Sequence, residues 1–307
     1  MPTPAEAIAA WVAVGDLAAP LCIQDAYAVA LPPLPAGLTR LFCSNCTGLA
    51  ALPALPAALT ELCCRDCTGL TRLPTLPATL MRLFCSNCTG LAALPALPAS
   101  LTELYCRDCT GLTRLPALPA TLMRLFCWSC TGLTRLPALP ATLTDLSCGY
   151  CPGLTSLPIL PAALTEIYCR ECPGLVSLPI LPAALTELYC RECPGLVSLP
   201  TLPTTLTVLA CSGCPGLASL PALPATLTHL YCSGCLGLTY LPALPTALVT
   251  LDCHNWTAVP DAYPSTLTWV NDAPMDRRLW RQQVAEQHAL QRAAVAAVLP
   301  PLALLYV

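Results

Sequence analysis

The sequence predicts an α/β solenoid, mostly β, in which short parallel strands stack into one sheet. Three observations predict it. A 21-residue unit, L-x-x-L-x-C-x-x-C-x-G-L-x-x-L-P-x-L-P-x-x, recurs in ten full copies, starting at Leu38, Leu59, Leu80, Leu101, Leu122, Leu143, Leu164, Leu185, Leu206 and Leu227. A fixed period in the range of about 20 to 50 residues belongs to stacked repeat architectures. The opening of each unit alternates in period two, as a half-buried strand does. In Leu101 to Cys106, this points Leu104 and Cys106 inward and Glu103 and Tyr105 outward. The close of each unit carries two prolines, which exclude a helix or a central strand and leave an extended, polyproline-like limb. Each unit is therefore one coil of strand, turn and extended return. Stacked coils are expected to form a curved solenoid with a concave parallel sheet, extended convex limbs and short helical caps.

The elements follow in order. Thr3, Pro4 and Glu6 have the spacing of a capping box with proline at the first helical position. Ile8, Trp11 and Val12 continue at helical spacing, and Gly15 is a stop signal. The helix is short and needs a surface to pack on, which the open end of the stack supplies. Leu17 to Gly37 is read as a degenerate first coil, with Cys22 at the first cysteine position and Asp25 in place of the second cysteine. Residues 1–37 thus form an N-terminal cap, and 38–247 form the array. In the array, Pro152-Gly153, Pro173-Gly174, Pro194-Gly195 and Pro215-Gly216 suit a type II turn with glycine at positive φ. Residues 248–307 hold a shortened final coil and a weakly amphipathic helix from about Asp272 through Trp280 to Val298, expected to cover the C-terminal end. Leu38–Thr79 and Leu80–Thr121 differ only at Thr39/Met81, Ala58/Ser100, Cys63/Tyr105 and Thr75/Ala117. Duplication of a double unit explains such sameness without selection.

Composition narrows the function. Net charge is −3, too close to zero for electrostatic capture of nucleic acid or an anionic membrane. Hydrophobic residues make up 55% of the chain, yet proline or charge interrupts every repeat well short of the roughly 20 apolar residues of a spanning helix. The apolar run from Ala293 to Val307 is broken at Pro300-Pro301. No basic segment precedes an apolar N-terminal core, so no secretory signal is expected. The 23 cysteines recur at one spacing in a core-forming repeat. Free buried thiols suit a reducing compartment, so an intracellular location is expected.

The first twelve positions of the repeat, L-x-x-L-x-C-x-x-C-x-x-L, resemble the conserved segment of the leucine-rich-repeat family in its cysteine-bearing form. The LPxLP remainder resembles the short repeats of YopM-like and IpaH-like bacterial effectors. The resemblance covers roughly Leu17 to Leu267. It implies a curved solenoid that binds a protein partner on its concave sheet, and an effector delivered to a host cell. Cysteine stands at position six where an aliphatic residue is usual, and at position nine where Asn is usual. The IpaH-like proteins carry a ubiquitin-ligase domain with a catalytic cysteine. The 40 residues after Leu267 hold no cysteine, so that activity is not expected.

Two sets of residues could carry chemistry. The Cys-x-x-Cys pairs, from Cys43/Cys46 to Cys232/Cys235, have zinc-ligand spacing, and adjacent coils would bring two pairs together. Against that, cysteine behaves as a small buried hydrophobe and every coil carries the same pair. The core reading leads, with no metal or cofactor; a metal-binding or redox protein is the alternative. The second set is the outward strand face. Position five carries aromatics that include Phe84, Tyr105, Phe126, Tyr168 and Tyr189. Position three alternates Arg and acid, including Arg124, and position seven adds Arg107, Trp128, Arg170 and Arg191. Exposed Tyr, Trp and Arg are enriched at binding hot spots. The competing reading is a face satisfied by its own cross-strand pairs. The interleaved acids argue against single-stranded nucleic acid. His229, His254 and His288 have no paired acid and nucleophile at recognisable spacing, so no enzyme is expected.

Overall fold

The computed structural model describes residues 2–253 and the backbone of 268–269. A helix, α1 (Pro4–Val14), is followed by strands of two to four residues: β1 (Leu21–Ile23), β2 (Arg40–Cys43), β3 (Glu61–Cys63), β4 (Arg82–Phe84), β5 (Glu103–Tyr105), β6 (Arg124–Phe126), β7 (Asp145–Ser147), β8 (Glu166–Tyr168), β9 (Glu187–Tyr189), β10 (Val208–Ala210), β11 (His229–Tyr231), β12 (Thr250–Asp252) and β13 (Thr268–Trp269). They form one 13-stranded sheet in sequence order. Neighbours are parallel, so the strand-turn-return unit of the sequence is one coil of a solenoid. The C-terminal helix expected from about Asp272 to Val298 lies outside the described residues, as does His254.

Side-chain periodicity sets the core. The leucines at repeat positions one, four and twelve and the cysteines at six and nine are essentially inaccessible from coil to coil, and the leucine at fifteen is nearly so. Each column runs along the stack and packs on its own kind in the neighbouring coils. Stability of such an array is close to a sum over coils and nearest-neighbour interfaces. Threonine ladders reinforce the columns. Thr60 Oγ1 donates to the Thr39 carbonyl at 3.1 Å, and Thr102 does the same to Met81 at 3.1 Å. At the end of the return limb, Thr79 Oγ1 donates to the carbonyls of Ala57 and Leu59 at 2.7 and 2.8 Å.

Three details differ from the sequence reading. The first concerns the turn. The glycines after the second cysteine do not take positive φ; position eight, between the two cysteines, does. Asn45, Asp66, Asn87, Asp108, Ser129, Tyr150, Glu171 and Glu192 all have φ between 52° and 59°, and Gly213 and Gly234 take the same region. This left-handed residue aims its N–H at the next coil: Asp108 N donates to the Trp128 carbonyl at 2.8 Å. The glycine at position eleven is needed for close approach instead. A Cβ on Gly90 would sit 2.7 Å from the Thr68 carbonyl oxygen of the preceding coil. The second difference is register. Ile23, not Cys22, pairs with Cys43 and points inward, while Cys22 pairs with Phe42 and is exposed. The register is offset because β1 and β2 pair at a spacing of twenty residues, not twenty-one. The third is burial of the charge ladder. Glu61 is only 4% exposed, so that rung is not a solvated pair.

Helix α1 begins as its sequence implies. Glu6 N donates to Thr3 Oγ1, Thr3 N donates to Glu6 Oε2 at 2.8 Å, and Gly15 closes the helix at φ 70°. Ala7, Ile8 and Trp11 pack against the end of the core, and Trp11 Nε1 donates to the Ala19 carbonyl at 3.0 Å.

Candidate partner-binding face

The strands present positions three and five outward, and the turn presents seven. Parallel strands lie about 4.8 Å apart, so rings in one column must stack. Phe84, Tyr105 and Phe126 form one continuous stack, with centroids 4.8 and 4.6 Å apart. Ser147 interrupts it, and Tyr168 and Tyr189 form a second stack at 4.6 Å. Such pairs contribute about 0.5–1.5 kcal/mol beyond the area they bury. Phe84 is buried in its stack, whereas Tyr105, Phe126, Tyr168 and Tyr189 are half-buried.

The arginines and Trp128 form a second assembly along the turns. Arg107 and Arg170 lie over the Trp128 ring at 4.9 and 5.6 Å from its centroid. Tyr150 meets Trp128 edge-on at 4.6 Å. Trp128 lies across Gly149 of the next coil, where an added Cβ would come within 3.0 Å of the indole Nε1. Cation–π contacts of this kind stabilise by about 0.5–2 kcal/mol. Arg191 lies 4.6 Å from the Tyr231 ring, and its Nε is buried without a hydrogen-bond partner. Burial holds the Arg191 guanidinium below the usual arginine range.

The position-three column falls into two electrostatic halves. From β2 to β7 the charges alternate. Glu61 Oε2 receives Arg40 at 3.0 Å and Arg82 at 3.7 Å. Arg124 reaches Glu103 at 3.5 Å and Asp145 at 3.8 Å, with half of its own side chain exposed. From β7 to β9 the alternation stops, and Asp145, Glu166 and Glu187 stand on adjacent strands in register. Burial first, then the charges of Glu187 and Asp145, push the Glu166 carboxyl above the usual range. The Tyr189 hydroxyl donates to Glu187 Oε2 at 2.9 Å, and the Tyr168 hydroxyl donates to Glu166 Oε2 at 3.2 Å.

The sequence-predicted residues therefore divide into a ring stack (Phe84, Tyr105, Phe126), an Arg-Trp-Arg sandwich (Arg107, Trp128, Arg170), a tyrosine pair (Tyr168, Tyr189), and two arginines, Arg124 between its acids and Arg191 on Tyr231. Sequence reasoning missed Tyr150, because it sits at turn position eight, and Gly149, whose missing side chain makes room for Trp128. Both were visible as departures from the repeat, since no other coil has glycine at position seven or an aromatic residue at eight.

The thiols form a different structure. The position-nine cysteine donates to the carbonyl of the position-six cysteine one coil back: Cys88 to Cys64 at 2.8 Å, Cys109 to Cys85 at 2.9 Å, and Cys193 to Cys169 at 3.2 Å. Burial pushes Cys172 up to about 11 and Cys151, Cys193 and Cys214 up to about 12. Burial also pushes Cys148 and Cys169 well above the ordinary thiol range. The thiolate is the metal ligand and the nucleophile, and burial opposes it at these positions. Thiol hydrogen bonds with Cys67, Cys85 and Cys211 instead hold Cys46, Cys109 and Cys235 below the ordinary range. Among the described residues, no three His, Cys, Asp or Glu side chains are placed to hold a metal ion. No helix among them is long and apolar enough to cross a membrane.

Solved structures share this architecture. YopM from Yersinia enterocolitica WA-314 is similar at a TM-score of 0.55 and 27% identity, over 82% of this chain and 68% of that one. The fold is a leucine-rich-repeat solenoid. YopM from Yersinia pestis, described as a leucine-rich effector protein, is similar at a TM-score of 0.52 and 27% identity, over 81% of this chain and 86% of that one. A leucine-rich repeat protein from Bacteroides ovatus shares the fold at 18% identity and a TM-score of 0.51, over 73% of this chain and 69% of that one. No protein-family model and no curated protein sequence matches this chain. Leucine-rich-repeat stacks present extended surfaces that such proteins use for binding.

Proposed function

We propose that this chain is a non-enzymatic, effector-like scaffold that captures a protein partner on the outward face of its sheet, the concave side of the solenoid. Residues 1–37 cap the N-terminal end of the array, and 38–247 do the binding; the C-terminal cap expected over 248–307 lies mostly outside the described residues. The contact residues are Tyr105, Arg107, Arg124, Phe126, Trp128, Tyr168, Arg170, Tyr189 and Arg191. Phe84, expected among them from the sequence, is buried and serves as the ring on which Tyr105 stacks. One observation carries the reading: the position-three acids are balanced by arginine up to Asp145 and unbalanced at Glu166 and Glu187, beside the Tyr168–Tyr189 stack. A surface concerned only with its own stability has no need of three adjacent acids, since like charges opposite each other are destabilising. A basic, apolar-bearing segment of a partner fits there. The buried, reduced thiol columns suit action inside a cell, in a reducing compartment.

The test is capture of partners from host-cell lysate by the intact chain and by Phe126→Ala with Trp128→Ala. Truncating a central aromatic anchor costs about 2 kcal/mol or more of affinity, so capture should be lost while circular dichroism is unchanged. Full capture by that double variant, with loss on Trp11→Ala instead, would move the site to the N-terminal cap.

A further inference from the structure

The return limb carries a second feature, away from the sheet face. A groove of about 500 Å³ is lined by Ala93, Leu115, Pro116, Pro137 and the two arginines Arg114 and Arg135. Both arginines stand at repeat position fourteen, as does Arg72 two coils before Arg114. Residues at this position meet across coils, since Ala51 and Arg72 form a parallel bridge. Arg114 and Arg135 are therefore like charges on neighbouring coils, an arrangement that is destabilising on its own.

Nothing on the limb neutralises them. Every Asp and Glu between Leu38 and Ala247 stands at strand position three or turn position eight. Among the described residues, Arg72, Arg114 and Arg135 are exposed, and the ion pairs that form belong to Arg40, Arg82 and Arg124. The limb therefore carries only positive charge, at Arg72, Arg114 and Arg135, while the acids lie on the strands and at the turns. Guanidinium forks match carboxylates in bidentate geometry. The Leu and Pro lining accepts the apolar stems of a bound chain. Ala93, Arg114 and Arg135 span three coils, about 10 Å at strand spacing, and Arg72 extends the line by one coil more. That length suits a peptide segment better than one small anion.

We infer that the return limb between Leu59 and Thr142 is a docking surface for an acidic peptide segment of a protein partner, held by Arg114 and Arg135 and extended by Arg72. This site is independent of the sheet face and stands or falls without it.

The test uses the full chain and a fluorescein-labelled hexaglutamate peptide, with hexaglutamine as the neutral probe. Binding of hexaglutamate is measured by anisotropy at low and high salt. Arg114→Gln with Arg135→Gln should weaken it about tenfold or more, because each arginine supplies a charge-assisted hydrogen bond. Arg72→Gln should weaken it less, and the binding should fall steeply with salt. Both arginines are exposed, so circular dichroism of the double variant should match the parent, and its melting curve should match or rise slightly as the like charges are removed. Absence of hexaglutamate binding, equal binding of hexaglutamine, or undiminished affinity in the double variant would each overturn the proposal. So would displacement of the peptide by inorganic phosphate at equal affinity, which would make it a small-anion site. Sedimentation showing self-association that the double variant abolishes would make a second copy the occupant and overturn it equally.

Discussion

Replacing Cys109 by alanine isolates the thiol ladder from ordinary packing. The Cys109 thiol donates to the Cys85 carbonyl at 2.9 Å, and no backbone N–H reaches that carbonyl among the described residues. A buried acceptor left unsatisfied costs about 1–3 kcal/mol. A thiol is a weak donor, which places this bond at the low end, about 1 kcal/mol. Loss of the buried sulfur adds about 1 kcal/mol in transfer and cavity terms. Cys109→Ala should therefore destabilise by about 2 kcal/mol. Cys148 is equally buried at position six, but its thiol donates no hydrogen bond among the described residues. Cys148→Ala should cost only the packing part, about 1 kcal/mol. Cys109→Ser should recover part of the loss by offering a hydroxyl donor. Urea denaturation under reducing conditions, followed by circular dichroism, reads all three. If Cys109→Ala costs no more than Cys148→Ala, the thiol is only a filler and the ladder contributes nothing.

Other expectations follow from the same geometry. Gly90→Ala should lower stability by about 2–3 kcal/mol, because its Cβ would press on the backbone carbonyls of Thr68 and Leu70, and overpacking against atoms that cannot yield costs that much; thermal unfolding checks it. Glu103→Ala should cost well under about 1 kcal/mol, since its partner Arg124 is half exposed. Glu61→Ala should cost about 2 kcal/mol, because Glu61 is buried between Arg40 and Arg82; urea midpoints of the two variants compare them. Glu166→Gln should stabilise the protein at pH 7 and not at pH 4. The folded carboxyl titrates above its unfolded value of about 4.3, so the folded state holds the proton longer and stability falls as pH rises from there through the raised value. Glutamine removes that loss and still accepts from Tyr168, and an unchanged pH profile of stability would show that Glu166 is not the group responsible.

The columns were legible in the sequence because each rests on one kind of residue, with Ile167 as an isosteric exception at position four. Leu at one, four and twelve and Cys at six and nine are fixed by burial, and the backbone repeats whatever they dictate. The turn was harder. Its left-handed residue is Asn, Asp, Ser, Tyr, Glu or Gly in different coils, so one backbone state wears many side chains. Asn45, Asn87, Asp66 and Asp108, with Gly213 and Gly234, are residues that tolerate this region, and their shared position carried the signal. The glycine at position eleven drew attention to the wrong bond because close approach and positive φ leave the same mark in a sequence. Cys22 misled because one residue fewer separates β1 from β2 than separates the neighbouring strands from β2 to β12. On the outward face, residue types were legible and burial was not. Whether Phe84 or Glu61 is covered depends on which rings and arginines the adjacent coils place over it, and that is a property of neighbours 21 residues away in both directions.

From Cys67 onward the position-nine thiol bonds between coils join residues 24 apart, and the threonine-to-carbonyl bonds join residues 20 to 22 apart. No bond in these ladders reaches past the adjacent coil. Excision of Leu80–Thr121 would bring Cys130 to the Cys64 carbonyl and Thr142 to the Ala78 carbonyl in place of Cys106 and Ala120, with the same donors and acceptors meeting. The same holds for insertion of a whole unit at any seam. Loss of twenty residues instead of twenty-one would turn every later leucine out of its column. The gene can therefore lengthen or shorten the molecule by recombination between its own near-identical stretches, in steps of one coil. Each such event moves the arginines of the return limb and the rings of the sheet beyond it by one strand spacing relative to helix α1, while the interior stays the same.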